Sequence, residues 1–485
     1  MGDETKIRVI IAGAGIAGLA TAISLSRLNR EFEGLLHLDI QLYERATELK
    51  EIGASIALSP NGLRTLERLG VTNALSDDIG FRGPAGLPMI YRHWKTNEIV
   101  SVDRFSENVT SKHHQTTRFH RAHLHEALLQ HMPRNNIHLG KAVESVQVRE
   151  NDGSGSTTTR AEPVTVFFQD GTSIQGDILI GADGLRSKVR ATFRPDHKLH
   201  WTGRTFFRST FDASLVANEK IPDLPPDSTH WWGPKHTFFA SRLGKNMFTT
   251  VGNFDPSQLS NGAASGSASD SEPKVTWDQE GNISTFRDLY KDWNSVVKAL
   301  ANATPYVRLY PNFAGEPLDT WVFGDSRVTL VGDAAHTHGG AHAAGGSLAL
   351  DDAWALYLAF RHVVLDHPHR QTRRLTVKDI DIHRALSLYE KTRRPHTERL
   401  VKSVLAGSKA AVTPDSDEAL RLKMTNRPST TWLTEHDVNA EFAKVVQTAA
   451  QEGQKHLAPG QLEVTANSGP QQSTQQVQFQ EQSRL

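Results

Sequence analysis

The 485-residue sequence contains no cysteine, which excludes disulfides, thiolate metal sites, thiol redox relays and cysteine nucleophiles together. Any redox chemistry in such a chain has to come from a bound cofactor. An excess of one charge is also missing, because 54 Lys and Arg residues offset 54 Asp and Glu. No overall field therefore draws the protein to nucleic acid or to an anionic membrane, and small molecules are the expected partners. Long apolar runs are absent as well. Arg8 to Ala12 is too short to span a bilayer, and Met1 to Lys6 holds no basic segment leading into a cleavable apolar stretch. These features read as a soluble, cytoplasmic protein, monomeric or homodimeric.

What is present suffices for a large core and two domains: 38% hydrophobic and 22% charged residues in a chain longer than one ordinary domain. Ile7 to Ala12 is apolar and β-branched and reads as a fully buried parallel strand. A helix from about Gly15 to Leu28 and a strand from Asp39 to Tyr43 complete a βαβ unit. Pro60-Asn61-Gly62 opens a helical pattern through Leu63, Leu66 and Leu69, and Arg118 to His131 carries apolar positions at helical spacing. Val143 to Val148 and Val164 to Phe168 read as strands joined by a polar hairpin loop, Asp152 to Thr159, with strand Ile178 to Ile180 following. From about Phe206 to Asn253 the aromatic and β-branched residues predict an antiparallel sheet covering a ligand. Ser257 to Ser271 is nearly all Gly, Ala, Ser, Asn and Asp, the composition of a flexible insertion, and the Gln- and Ser-rich tail after Gly453 predicts disorder.

Three motifs carry chemistry. Gly13-Ala14-Gly15-Ile16-Ala17-Gly18 is a GxGxxG directly after a strand and opening a helix. Its first glycine makes the turn, the second lets backbone approach a pyrophosphate, the third allows close helix packing, and the helix N-terminus supplies amide donors. Glu44, at the end of the second strand and followed by Arg45, lies at the distance expected for an adenosine ribose. The second motif is Gly176-Asp177-Ile178-Leu179-Ile180-Gly181-Ala182-Asp183-Gly184, continuing to Ser187, Val189 and Arg190. The third is Val328 to His336, containing Gly332-Asp333, followed by a glycine-rich loop and a helix from about Ser347. Both deliver an aspartate at a strand's C-terminal end, where open α/β sheets bind ligands.

In this order the motifs resemble the class A flavoprotein aromatic hydroxylases, the family of p-hydroxybenzoate hydroxylase and salicylate hydroxylase. Gly53-Ala54-Ser55-Ile56, Ser59-Pro60-Asn61 and His120-Arg121-Ala122 look closer to the salicylate hydroxylase branch, and the resemblance runs from about Lys6 to Leu400. It implies an α/β fold with a Rossmann-like FAD-binding domain (1–75, 105–190 and 310–400), a β-sheet substrate domain (76–104 and 191–309, with 257–271 the insertion), a C-terminal helical region (401–452) and a disordered tail (453–485). It further implies FAD as cofactor, NADPH or NADH as transient co-substrate, and O2 activation through a flavin C4a-hydroperoxide that hydroxylates a phenolic or other aromatic small molecule, with decarboxylation or dearomatisation as possible outcomes. By the same resemblance Gly13, Gly15, Ala17, Gly18, Glu44, Arg45, Gly53, Ala54, Arg121, Asp183, Gly184, Gly332 and Asp333 would bind FAD. Gly345, Gly346 and Ser347 would lie at the flavin, where a helix N-terminus favours negative charge.

For the substrate the expected anchor is Arg208, able to pair with a phenolate or carboxylate. Two departures from the family pattern stand out. Thr337 and Gly340 replace loop prolines, which predicts a less rigid loop in which a carbonyl at Gly340 still accepts a hydrogen bond. Phe239-Ala240 stands where a Tyr-Pro pair is common. His338 or His342 is a candidate base in place of the lost groups. The run His336, His338, His342 also invites a metal reading, but it is embedded in the flavin motif without an obvious further ligand, so no metal is expected. The competing functions are epoxidation of an alkene or indole and, from another class, a non-catalytic binding module on a flavoprotein fold.

Overall fold

A computed structural model describes residues 6–49, 53–148, 163–254, 277–409 and 413–456. The opening strand Ile7–Ala12 pairs on both sides, in parallel, with Leu38–Tyr43 and with Ile178–Gly181. Val328–Leu330 adds parallel to Ile178–Gly181. The sheet has six strands, in the order Val322–Phe323, Val328–Leu330, Ile178–Gly181, Ile7–Ala12, Leu38–Tyr43 and Ile137–His138. Because the three motif-bearing strands are adjacent and parallel, their C-terminal ends open on one edge, and the expected α/β architecture is found. Helix Ile16–Glu31 and the long helix Gly345–Asp366 pack together against this sheet, and Ile382–Lys409 packs outside them.

The second layer is an eight-stranded sheet running Gln279–Gly281, Val307–Gly315, Leu199–Asp212, Met247–Phe254, Thr237–Arg242, Thr229–Trp232, Ile90–His93 and Ile99–Val102. All its pairs are antiparallel except Thr229–Trp232 with Ile90–His93. Side chains alternate between its two faces. Phe207, Phe238 and Phe254 lie on one face and pack with Phe286 and Tyr290 into a separate aromatic core under helices Ile283–Tyr290 and Ser295–Ala303. The other face is the one that carries Arg208 and Phe239.

Several expectations are revised. Thr117–His120 is a strand paired with Ser55–Leu58, and the helix begins only at Arg121 and ends at Leu129. The helical spacing of Leu124, Ala127 and Leu128 does not extend back to Arg118, and non-local pairing claims those four residues. The glycine-led helix begins at Gly345 rather than near Ser347. Strand Val307–Gly315 belongs wholly to the larger sheet, so the expected division near 310 falls inside it, and helix Ile382–Lys409 runs through the one near 400. The last helix extends to His456, past the expected start of the tail. The Asp152 to Thr159 loop, the Ser257 to Ser271 insertion and residues 457–485 lie outside the described residues.

Candidate active site

The glycine motif divides by physical role. Gly13 has φ +104°, and a Cβ on it would sit 2.5 Å from the Ala182 carbonyl oxygen; one on Gly18 would lie 1.9 Å from the Gly13 carbonyl oxygen. Both are required by the protein's own backbone. Gly15 is not: a Cβ there would meet only Nη2 of Arg121, 4.0 Å away, and its φ of −72° and ψ of −173° suit any residue. A glycine that neither packing nor backbone demands, at the uncapped N-terminus of the 16-residue helix Ile16–Glu31, is a cradle for a group that approaches the backbone closely. Glu44 braces the loop, accepting from the amides of Ala14 and Ala46 at 2.9 Å each. Ala17 touches Gly332, where an added Cβ would come within 2.9 Å of it. Arg45 and Gly53 are exposed. The Gly53 carbonyl accepts from Thr210 of the larger sheet, and the Ala54 carbonyl accepts from the Arg121 amide, so this segment joins the two layers.

The second and third motifs are locked to each other. Asp183 accepts from the Ser187 hydroxyl at 2.5 Å and from the amides of Lys188 and Val189 at 2.7 and 3.1 Å. Its carboxylate thus caps the short helix Lys188–Phe193, and burial holds it above the usual carboxylate range despite those donors. Arg190 spans the motifs, donating to the carbonyls of Leu185, Asp333 and Ala334. The Asp333 side chain is exposed at the strand edge, near enough to Arg121 for its charge to oppose the lowering that burial imposes on that guanidinium. Gly184 lies in the left-handed region beside this edge, φ +76°.

Between Asp333 and the long helix, His338 is buried with both ring nitrogens unpartnered among the described residues. It faces Gly345, where an added Cβ would be 3.3 Å from its Nε2 and 3.8 Å from Asp333 Oδ1. Burial pushes it down to about 4, so it is neutral near pH 7. His342 is also lowered, by burial first, and senses Asp103 and Arg427 rather than Asp333. The three loop histidines therefore diverge, and His336 pairs with Asp352 at 2.7 Å. Among the described residues no three His, Cys, Asp or Glu side chains gather as metal ligands.

Gly346 and Ser347 turn out to be packing positions. A Cβ on Gly346 would strike Ile56 and Leu58 at 2.8 and 2.9 Å. Ser347 Oγ accepts from the Ser59 amide and hydroxyl at 2.9 Å. Of the trio, Gly345 alone faces the loop histidine and Asp333.

A buried charge cluster lies beneath, and sequence reasoning did not find it. Asp352 accepts from the Gly332 amide at 2.9 Å, from His336 and from Arg393 Nε at 2.9 Å, and these contacts hold its carboxyl down to about 2 against its burial. Asp351, 3.9 Å from Arg393 and bonded to Asn61 and Thr65, is instead raised by burial. The available signal was Asp351-Asp352 inside an otherwise apolar helical run, since two buried carboxylates demand partners.

On the larger sheet, strand register sets Arg208, Val251, Phe239, His230 and Tyr91 side by side in one transverse row. Arg208 Nη2 would be 3.9 Å from a Cβ on Gly340, its Nε is buried without a partner, and its guanidinium lies over Phe206 and Tyr310. The row thus begins at the glycine loop and runs away from it.

Residues 6–220 match the family model described as an FAD binding domain. Over 403 residues the chain is 29% identical to a 3-hydroxybenzoate 6-hydroxylase of Klebsiella oxytoca, covering 82% of this chain and 87% of that one. It is 24% identical to a salicylate hydroxylase of Pseudomonas putida over 477 residues, covering 94% and 98%. These relatives are class A FAD-dependent aromatic hydroxylases, and the chain is similar to them over most of its length. The fold agrees: a solved salicylate hydroxylase substrate complex superposes with TM-score 0.66 at 20% identity over 91% of this chain and 98% of that one. Klebsiella pneumoniae HpxO, solved with FAD and uric acid, gives 0.63 at 23% identity over 91% and 97%. The protein is an enzyme, an FAD-dependent monooxygenase acting on aromatic substrates. Among the described residues no helix is long and apolar enough to cross a membrane.

Proposed function

We propose that this enzyme hydroxylates a phenolic ring laid on the Arg208 face of the eight-stranded sheet, using NADH or NADPH and O2. The observation that carries this reading is the junction of two surfaces. The strand-end edge, with its cradle at Gly15, meets a sheet face whose cation nearest the glycine loop, Arg208, has a buried Nε without a partner among the described residues.

The residues fit FAD. The amides at the start of helix Ile16–Glu31 and the Arg121 guanidinium would hold the diphosphate. Glu44 would take the ribose, and Asp333 with the Gly332 and Gly184 backbone the middle of the molecule. When bound, FAD supplies the redox chemistry, accepting hydride from the nicotinamide and activating dioxygen. The amide end of helix Gly345–Asp366 presents a positive dipole to negative charge on that side of the site. Arg208 orients the phenolic oxygen and favours its ionised form. His338, neutral and unpartnered, is available to hold or pass a proton at its free ring nitrogen. Val251, Phe239 and the neighbouring rings exclude water from the face where oxygen transfer occurs.

The test is direct. The purified protein is expected to be yellow, and its NADH or NADPH oxidation to accelerate when a phenol is added, with a hydroxylated product found by mass spectrometry. A yellow protein whose oxidation rate no phenol alters would overturn the substrate assignment. One without flavin would overturn the site.

A further inference from the structure

A second buried cation sits along the same row. Arg118, on strand Thr117–His120, lies with its guanidinium 5.3 Å from the Phe239 ring centroid. It is 9% exposed, its Nε is buried without a partner among the described residues, and the one side-chain hydrogen bond it makes among them runs from Nη2 to the Pro88 carbonyl at 3.2 Å. No carboxylate of a described residue pairs with it. The nearest acid, Asp103, is already taken by Arg427 at 2.9 Å and by the Tyr91 hydroxyl at 2.9 Å. Asp103 reaches Arg118 only through space, a guanidinium out of water without a directly paired carboxylate is costly to keep, and Arg208 at the loop end of the row likewise pairs with no carboxylate of a described residue.

His230 stands beside Phe239, directly across the strand pair. Its ring packs tilted or edge-on against Tyr91, Trp232 and Phe239. It makes no hydrogen bond among the described residues, although it is only partly covered. Burial, reinforced by Arg427 and Arg118, holds it down to about 3, so it meets a ligand as a neutral donor or acceptor. Arg208 and Phe239 are separated by the strand that carries Val251, and two inter-strand spacings amount to about 10 Å.

We propose that the substrate is longer than a single ring. Its phenolic oxygen lies at Arg208, and a second, anionic acceptor, a carboxylate or its equivalent, lies about 10 Å along the row between Arg118 and His230, with apolar framework over Val251 and Phe239. This rests on the reading that Arg208 holds the phenolic end and adds the far end to it.

Three probes separate the parts of the idea: 4-hydroxybenzoate, 4-phenylphenol and 4′-hydroxybiphenyl-4-carboxylate, titrated into the holoenzyme against the flavin absorbance spectrum. The biphenyl acid is expected to bind at least about tenfold more tightly than either other probe, the gain of a buried charge-assisted contact. In Arg118→Gln the affinity ratio of the biphenyl acid to 4-phenylphenol should collapse toward one. His230→Phe, which keeps the ring packing, should lower the same ratio and serves if Arg118→Gln fails to retain flavin. A wild-type ratio near one, or a ratio that both variants preserve, overturns the far subsite while leaving the phenol site standing. If none of the three probes perturbs the flavin of a fully loaded enzyme, the Arg208 reading falls and the subsite with it.

Discussion

Gly15→Ala should uncouple cofactor binding from folding. The added methyl meets no protein atom closer than Arg121 Nη2 at 4.0 Å, on a backbone that alanine adopts freely. Reduced freedom of the unfolded chain favours alanine by about 0.4–1 kcal/mol, and alanine is the poorer N-cap by an amount of the same order, up to about 1 kcal/mol. The apoprotein should therefore stay within about 1 kcal/mol of wild type. Its FAD affinity should fall about ten- to a hundredfold, because a methyl where backbone and diphosphate meet is overpacking of about 1–3 kcal/mol. The neighbouring glycines should behave in the opposite way. Gly18→Ala forces a contact of 1.9 Å with the Gly13 carbonyl, and Gly13→Ala one of 2.5 Å with the Ala182 carbonyl at φ +104°, so both should destabilise the apoprotein by about 1–3 kcal/mol or more. Bound FAD stabilises the fold by mass action, so the comparison is made by urea unfolding of deflavinated protein, with FAD affinity from fluorescence quenching. A Gly15→Ala protein that purifies with full flavin, or whose apoprotein unfolds as early as Gly18→Ala, would refute the division of roles.

Asp352→Ala removes the Nε partner of the buried Arg393 and leaves it only the longer contact to Asp351 at 3.9 Å, so it should cost about 3–5 kcal/mol in urea unfolding, with a loss below 1 kcal/mol arguing against the pairing. Arg208→Ala should raise the dissociation constant for a responsive phenol at least about tenfold, since a hydrogen bond to a charged group is worth about 1.5–3 kcal/mol. Arg208→Lys should restore little of it, and unchanged titrations would remove the assignment. Burial, complete at His338 and partial at His230, His396 and His436, holds these histidines down to about 4, 3, 2 and 3, so the unfolded chain takes up protons first below about pH 6.5. Stability should then fall as the pH drops from about 6.5 toward 4. Asp352, depressed to about 2, begins to lose its contribution only below about pH 4. A urea midpoint that is flat between pH 6.5 and 5 would contradict the histidine part.

What the sequence made legible was local. A buried strand ending in glycines, a helix start and an acid at a strand end are each read within ten residues, and all three motif strands stand side by side at one sheet edge. Arg208 could be singled out by resemblance, but its neighbours could not. The row from Arg208 to Tyr91 exists only through the register of five strands drawn from residues 90 to 254, and register is a tertiary property. Arg118 was hidden for a related reason. It directly precedes a helical pattern whose spacing extends over it, whereas pairing with Ala57 puts it in a strand. Phe239-Ala240 is legible as a departure from the family pattern, and its two halves have different fates: Phe239 lies in the row under Arg118, while Ala240 is buried in the aromatic core on the opposite face.

The missing loop prolines look different once the buried cluster is known. Sequence alone predicted a slack loop after Asp333, because Thr337 and Gly340 replace residues with fixed φ. Its first half is instead tied down by other means. His336 is paired with the fully buried Asp352, the Thr337 hydroxyl donates to the Asp333 carbonyl at 2.7 Å, and the Thr337 carbonyl accepts from the Gly315 amide at 2.9 Å. His338 bridges to Ala314 of the larger sheet. Restraint that proline would impose through its ring comes here from Asp352, which also holds the Gly332 amide and so fixes both sides of Asp333. The second half of the loop is held by short backbone turns and by Ala341 and Ala344 packing near Leu400 and Leu433, and it is wound unfavourably, with His342 and Ala343 both at positive φ, +55° and +52°. Each of those residues costs on the order of 1–2 kcal/mol in that region. The strain ends at Ala344, one residue before the helix begins, so the helix N-terminus at Gly345 is held between an electrostatic anchor on Asp352 and a loop segment that stores energy. Loss of Asp352 should therefore move Gly345 as well as weaken the core, which links a residue in the helix interior to the electrostatics at the site.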